Sequence, residues 1–90
     1  LGLYRRAQTL LEQVSQSLQS QPDSLIKATG LRSLGIALQV AGNLDRSKEV
    51  LQHSLAISQK LGSDAATSAT LLSLGNTARA QQDLNAAIQF

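Results

Sequence analysis

The stretch LRSLGIALQVAGNLD, residues 31–45, decides the fold. Its leucines recur at spacings of three and four: Leu31, Leu34 and Leu38. This periodicity places them on one stripe of an α-helix. Gly42 is the residue type that most often ends a helix in the left-handed conformation, and Asn43 offers a side-chain acceptor for the next helix. The stretch therefore predicts two helices joined by a tight turn.

Two further stretches have the composition of helix boundaries. In KLGSD, Gly62 is predicted to end one helix, and Ser63 or Asp64 to cap the next. In SQPDS, Pro22 blocks continuation of a helix, and Asp23 is able to cap the one that follows. Together these boundaries predict five helical segments, at roughly 3–20, 23–41, 44–61, 64–82 and from 84 onward. No strand pattern of alternating polar and β-branched or aromatic residues occurs.

The tripeptide SLG occurs twice, at residues 33–35 and 73–75. A shift of forty residues also aligns other positions near helix ends and on the apolar stripes: Gly2 with Gly42, Arg6 with Arg46, Leu11 with Leu51, Leu31 with Leu71, and Leu44 with Leu84. A fixed period of this size indicates a solenoid of stacked helical hairpins.

A mid-helix glycine needs an explanation, because glycine costs about 1 kcal/mol of helix propensity relative to alanine. A close crossing with the next helix of the hairpin would require a small residue at Gly35. Its predicted partner is Ser47, and the equivalent partner of Gly75 is Ala87.

This pattern resembles the tetratricopeptide repeat, in which a first helix carries leucine and glycine at set positions and a second carries small residues. The matching positions are Leu31, Leu34, Gly35, Leu38, Ser47, Leu51 and Ser54, then Leu71, Leu74, Gly75, Ala78 and Ala87, with Ala7, Leu11 and Val14 from a preceding repeat. The period is forty rather than about thirty-four, so the chain is most similar to the long variants in kinesin light chains and bacterial signalling proteins.

The resemblance implies an all-α fold, a right-handed superhelical solenoid of antiparallel helical hairpins. The whole chain, residues 1–90, is expected to be one fragment of such an array. Residues 1–21 would be the second helix of a preceding repeat, 22–62 a full hairpin, and 63–90 the next hairpin with its second helix truncated. Because the sequence begins with Leu1 and stops at Phe90 without a cap, we expect a piece excised from a longer protein. The lack of cysteine favours a reducing compartment, so we expect a cytoplasmic location.

Composition argues against several functional classes. The 90 residues include no cysteine and only two aromatic residues. The net charge is +2, and the basic side chains are scattered along the sequence. Without clustered Lys and Arg, no nucleic-acid partner is expected, and without a long apolar run no membrane span. His53 is the only histidine, and no serine-hydrolase motif or phosphate-binding loop occurs. We therefore expect no enzymatic activity, no cofactor and no metal site.

The resemblance further implies binding of a partner protein or peptide on the concave face formed by the first helix of each hairpin. That face maps onto Thr29, Arg32, Ser33, Ile36, Gln39 and Val40, and onto Ala69, Leu72, Ser73, Asn76, Arg79 and Ala80. The selected partner-binding candidates are Arg32, Ile36, Gln39, Leu72, Asn76 and Arg79. An alternative is that these are only solvated positions of amphipathic helices.

Two other functions remain open from the sequence. Copies of the chain could associate as a homo-oligomer through apolar stripes at the two ends, formed by Leu3, Leu10, Leu11, Val14 and Leu18, and by Leu84, Ile88 and Phe90. Alternatively, the chain could be a sensor segment of a larger bacterial signalling or transcription-regulator protein.

Overall fold

A computed structural model describes residues 2–89, except for the side chains of Tyr4 and Gln89. Within this range the chain is all-helical, without strands, as the sequence predicts for a helical-repeat solenoid. Its helices are α1 (Gly2–Gln19), α2 (Leu25–Val40), α3 (Leu44–Lys60) and α4 (Asp64–Gln89). The most extensive contact is between α2 and α3.

The turns after α2 and α3 form as predicted. Gly42 and Gly62 have φ angles of 85° and 71°, the left-handed conformation that favours glycine. Ser63 caps α4, accepting a hydrogen bond from the backbone nitrogen of Ala66 at 3.2 Å. Asn43 precedes α3, but its side chain makes no capping hydrogen bond, so that detail of the prediction was wrong.

The predicted cap of α2 was one residue off. Ser24, rather than Asp23, has the extended N-cap conformation and accepts a hydrogen bond from the backbone nitrogen of Lys27 at 3.1 Å. Asp23 instead binds two ammonium groups, those of Lys27 at 3.3 Å and Lys60 at 3.2 Å. The Asp23 carboxylate thus makes ion pairs, and Ser24 supplies the cap.

Lys27 of α2 forms hydrogen bonds with the C-terminal end of α1. Although charged, it is 4% exposed, and its ammonium group donates to the backbone oxygens of Gln21 at 2.8 Å and Gln19 at 3.4 Å. These carbonyl groups lie at and just beyond the C-terminal end of α1, where a positive charge also complements the helix dipole. Arg46 makes a second link, donating to the buried Ser15 hydroxyl of α1 at 2.8 Å.

The core is built from aliphatic residues of α2 and α3, with leucines of α1 at its edge. Its members are Ala28, Leu31, Leu34, Leu38, Val50 and Ile57, packed against Leu11 and Leu18. The predicted crossing of α2 and α3 at Gly35 is observed. A methyl group added at Gly35 would lie 2.5 Å from Leu51 Cγ, which is too close for carbon atoms.

The predicted break in the last helix is absent. The sequence predicts one helix ending near residue 82 and another from 84, but α4 runs uninterrupted from Asp64 to Gln89. Gln82 occupies the position equivalent to Gly42, and alanine and glutamine around it favour a continuing helix. Ala87 therefore lies on the same helix as Gly75 and does not pack on it, so that pairing was wrong: an added methyl at Gly75 would meet nothing within 4 Å.

Candidate functional site

A groove of about 300 Å³ lies between the N-terminal halves of α2 and α4, with α3 as its floor. Its lining residues come from three helices and one turn: Leu25, Ala28, Thr29 and Arg32 of α2, Ser54 and Ser58 of α3, Ser63 before α4, and Ala65, Ala66, Ala69 and Thr70 of α4. Most of these side chains are small, which keeps the space between the helices open.

Three hydroxyl groups that line the groove, two on its floor and one on the α4 wall, form hydrogen bonds within the fold. Ser54 Oγ donates to the backbone oxygen of Ala28 at 2.7 Å, and Ser58 Oγ donates to the backbone oxygen of Ser54 at 2.9 Å. Thr70 Oγ1 donates to the backbone oxygen of Ala66 at 2.8 Å. Because these protons already have acceptors, the floor contributes close helix packing rather than free donors.

Arg32 is the charged member of the lining. It is half-buried, and it makes no hydrogen bond or ion pair with any residue in the described part of the chain. A guanidinium group carries five N–H donors in a planar fork that matches the two oxygens of a carboxylate. The groove therefore presents a cation that has no protein partner in the described chain, beside mainly apolar walls.

At the other end of α2, Gln39 connects the two walls. Its Oε1 atom accepts a hydrogen bond from Thr77 Oγ1 at 3.2 Å, and Thr77 also lies 3.2 Å from Ser47 Oγ of α3. Thr77 and Ser47 are both buried. Gln39, which the sequence selected for partner binding, thus holds α2 to α4 in this structure.

The other four selected residues lie on α2 and α4, at exposed positions beyond the groove. Ile36 is 39% exposed and Leu72 is 68% exposed, and neither lines the groove. Asn76 and Arg79, three residues apart on α4, are both exposed. The structure therefore brings only Arg32 of the six candidates into the groove itself.

A family comparison agrees with this architecture. The family model described as "Tetratricopeptide repeat" matches residues 27–90, which include α3, α4 and all but the first two residues of α2. The chain belongs to the tetratricopeptide repeat family. Repeats of this family generally mediate protein–protein interaction and are typically non-catalytic scaffolds. Comparisons with curated proteins and with solved structures found no significant match.

Several groove residues of this tetratricopeptide repeat chain were missed by sequence reasoning: of the residues that line the groove, it named only Thr29, Arg32 and Ala69. Ser54 and Ser58 were missed because they belong to the second helix of the hairpin. A signal for them exists, since the two serines lie four residues apart and so share one face of α3. The cluster of alanines at the start of α4 is a second signal, because small side chains leave space beside a helix.

The described residues include few groups that could bind a metal or take part in catalysis. Across residues 2–89, no three His, Cys, Asp or Glu residues come together in a way that could hold a metal ion. His53 is half-exposed on α3. The helices between residues 2 and 89 also include none that is long and apolar enough to cross a lipid bilayer.

Proposed function

We propose that the chain binds an extended segment of a partner protein in the groove between α2 and α4. The observation that carries the proposal is Arg32, whose guanidinium group lines the groove without an ionic partner in the described chain. The family's general role in protein–protein interaction supports the same class of function.

The size of the groove favours a peptide over a folded surface. Binding pockets for small ligands range from roughly 300 to 1,000 Å³, so a groove of about 300 Å³ accommodates a few side chains. A matching segment would place a carboxylate opposite Arg32, where it pairs with the guanidinium group. Its small apolar side chains would pack against Ala65, Ala66 and Ala69. Beyond the groove, Ile36, Leu72, Asn76 and Arg79 offer further contacts to a longer segment.

We also infer that the chain is one of the long-period members of its family, similar to those of kinesin light chains. The forty-residue shift that aligns SLG with SLG supports this, as do helices of 16 and 17 residues in the complete hairpin. As a binding scaffold it would act without catalysis or cofactor. The composition, which lacks cysteine, favours a cytoplasmic setting.

The test begins with selection from random peptides displayed on phage, using the complete 90-residue chain as bait. An enriched peptide is then labelled with a fluorophore, and its affinity is measured by fluorescence anisotropy for the wild type, Arg32→Glu and Lys48→Glu. Lys48 is an exposed residue of α3 that does not line the groove, so its reversal makes the same change in net charge.

We expect enriched peptides to contain Asp or Glu. Arg32→Glu should weaken binding by about tenfold or more, since it places like charges together in a partly buried site, whereas Lys48→Glu should change it little. Equal affinity of the Arg32→Glu and Lys48→Glu variants would contradict the proposal, as would a selection that enriches no peptide.

A further inference from the structure

A polar layer joins α2, α3 and α4 beneath the groove. Ser54 of α3 donates to the backbone oxygen of Ala28 at 2.7 Å, and its hydroxyl oxygen lies 3.5 Å from Thr70 Oγ1 of α4. Thr70 in turn donates to the backbone oxygen of Ala66, so both buried hydroxyl groups have an acceptor. Arg32, one turn after Ala28 on α2, makes no bond to these described groups. The space beside it therefore stays open.

A second layer of the same kind lies seven residues further along α2 and α4 and seven residues earlier on α3, about 10 Å away. Ser47 donates to the backbone oxygen of Gly35 at 2.7 Å, and its hydroxyl oxygen lies 3.2 Å from Thr77 Oγ1. Gln39 occupies the position equivalent to Arg32. Its Oε1 atom accepts the hydrogen bond of Thr77 at 3.2 Å, so a side chain of α2 crosses to α4 in this layer.

The two layers thus differ in what lies between α2 and α4. At the first layer the space is the groove, and Arg32 is part of its lining. At the second layer the Gln39 side chain occupies the space, and neither Gln39 nor Thr77 lines the groove. The hydrogen bond between Gln39 and Thr77, called the bridge below, therefore marks the place where the groove stops.

The α4 wall is also bulkier at the second layer. Residues 65, 66 and 69, which line the groove, are all alanine. The residues seven positions later on the same helix are Leu72, Ser73 and Asn76. Small side chains on α4 accompany the open layer, and larger ones accompany the closed layer.

The bridge stands at the C-terminal end of α2. Because α2 ends at Val40, one residue after Gln39, α4 continues beyond the bridge without α2 opposite it. In the C-terminal stripe that the sequence predicts there, Leu84 and Ile88 are exposed, and Phe90 lies outside the described residues. The space between α2 and α4 therefore has one open layer and one closed layer.

We propose that Gln39 is a specificity-determining residue of the groove, because its bridge to Thr77 closes the space between α2 and α4 to a bound segment. This inference rests on the proposed binding function and adds a limit on how much of the segment enters between the helices. Side chains of the segment near Arg32 enter the groove, whereas those that reach Gln39 pass over the outer side of the bridge.

The bridge can be removed without leaving a buried hydroxyl group unpaired. Thr77 loses the Gln39 acceptor in a Gln39→Ala variant but keeps the oxygen of Ser47, whose own proton goes to Gly35. A buried donor that retains an acceptor avoids most of the desolvation penalty. Gln39→Ala should therefore fold and open the second layer to the segment.

The test uses the shortest peptide, cut from a phage-selected sequence, whose affinity still falls on Arg32→Glu. A second phage library keeps this parent peptide fixed, adds a few random residues at either end, and is selected on Gln39→Ala. Fluorescence anisotropy then measures the parent and the extended peptide on the wild type, Gln39→Ala and Gln52→Ala. Gln52→Ala is the matched control, because Gln52 is an exposed glutamine of α3 that does not line the groove.

We expect the extension to raise the affinity of Gln39→Ala by about tenfold, since an added side chain becomes buried between the helices. For the wild type and Gln52→Ala, the same extension should change the affinity by about twofold or less, because it contacts only exposed positions. The parent peptide should bind all three proteins alike, which a general disturbance of the fold would not allow.

Two further variants of Gln39 support the comparison. Gln39→Glu keeps the length of the side chain and an acceptor oxygen for Thr77, so it should restore the small gain of the wild type. Its negative charge acts on the parent and the extended peptide together, and the gain from extension is unaffected. Gln39→Ser replaces Gln39→Ala if circular dichroism shows that the alanine variant does not fold.

The inference would be overturned by equal gains from extension in Gln39→Ala and the wild type, or in Gln39→Ala and Gln52→Ala. A selection on Gln39→Ala that enriches no extension would overturn it as well. In each of these cases the parent peptide still binds in an Arg32-dependent way, so the proposed function stands. If no peptide depends on Arg32, the proposed function fails, and this inference fails with it.

Discussion

Ser47 donates its hydroxyl hydrogen to the backbone oxygen of Gly35 over 2.7 Å, and this bond joins α3 to α2 where the two helices cross. Both residues are buried, and Leu51 covers the space in which a side chain of Gly35 would lie. The equivalent glycine on α4, Gly75, has open space instead. One sequence motif therefore has two different environments in the same molecule.

The two glycines should respond in opposite ways to substitution. Gly35→Leu should lower the free energy of unfolding by about 3 kcal/mol through overpacking against Leu51. Gly75→Ala should raise it by about 0.5–1 kcal/mol, because alanine has the higher helix propensity and meets no atom there. Urea unfolding at a concentration at which the chain is monomeric checks both values. Equal effects at the two positions would show that the helix crossing is wrongly placed.

Removing the buried ammonium group of Lys27 should loosen α1. Lys27→Met leaves the backbone oxygens of Gln19 and Gln21 without their donor, and we expect a loss of about 2 kcal/mol in unfolding free energy. Lys48→Met removes the same charge from an exposed position and should stay within about 0.5 kcal/mol of the wild type. Denaturant unfolding monitored by circular dichroism provides the comparison. Indistinguishable midpoints for the two variants would refute the role of Lys27.

The ion pairs of Asp23 should make the stability of the fold depend on pH. The neighbouring Lys60 ammonium, and then that of Lys27, lower the pKa of the Asp23 carboxyl below its ordinary value of 3.8. A carboxyl whose pKa is lowered by folding stabilises the fold above its unfolded pKa, and that contribution is lost as pH falls through the folded value.

Asp23→Asn should therefore melt at a lower temperature than the wild type at neutral pH, and the difference should shrink as pH falls below 3.8. Asp83→Asn is the control, since Asp83 is exposed and makes no ion pair with another residue of the described range. Thermal melts across an acid series measure the difference. A gap that stays constant from neutral to acid pH would mean that the ion pairs do not cause it.

The C-terminal end of α4 should be its least protected part. Among the described side chains, Gln81 makes the last bond from α4 to another helix, from its Nε2 atom to Asp45 Oδ1 at 2.8 Å, and residues 82–88 are all exposed. We expect backbone amides after residue 82 to exchange with deuterium faster than those of residues 68–80. Mass spectrometry of peptide fragments resolves the two regions. Uniform protection along α4 would indicate a packing partner that the structure does not include.

Sequence reasoning succeeded where a local signal determines the backbone. Gly42 and Gly62 end helices because their left-handed conformations suit glycine, and the Gly35–Ser47 contact follows from a glycine placed in mid-helix. The continuation of α4 could have been inferred from the absence of a glycine near residue 82, but the forty-residue alignment outweighed that signal.

Other features depend on contacts between residues distant in the chain, which periodicity does not reveal. Lys60 reaches Asp23, 37 residues earlier, and this pairing leaves Ser24 as the cap of α2. Arg32 was selected because of the family resemblance, and it lines the groove, but its binding role stays a prediction. Gln39 was selected on the same grounds, yet its hydrogen bond to Thr77 became visible only once α2 and α4 were side by side.

The measurement that tests the central claim most directly is chemical-shift mapping of the isotope-labelled chain during titration with a selected peptide. If the α2–α4 groove is the binding site, the largest amide shifts will fall in residues 25–32 and 63–70. Amides on the exposed side of α3, which does not line the groove, should shift less. Largest shifts on α1, or on the outer side of α3 around Lys48, would contradict the account.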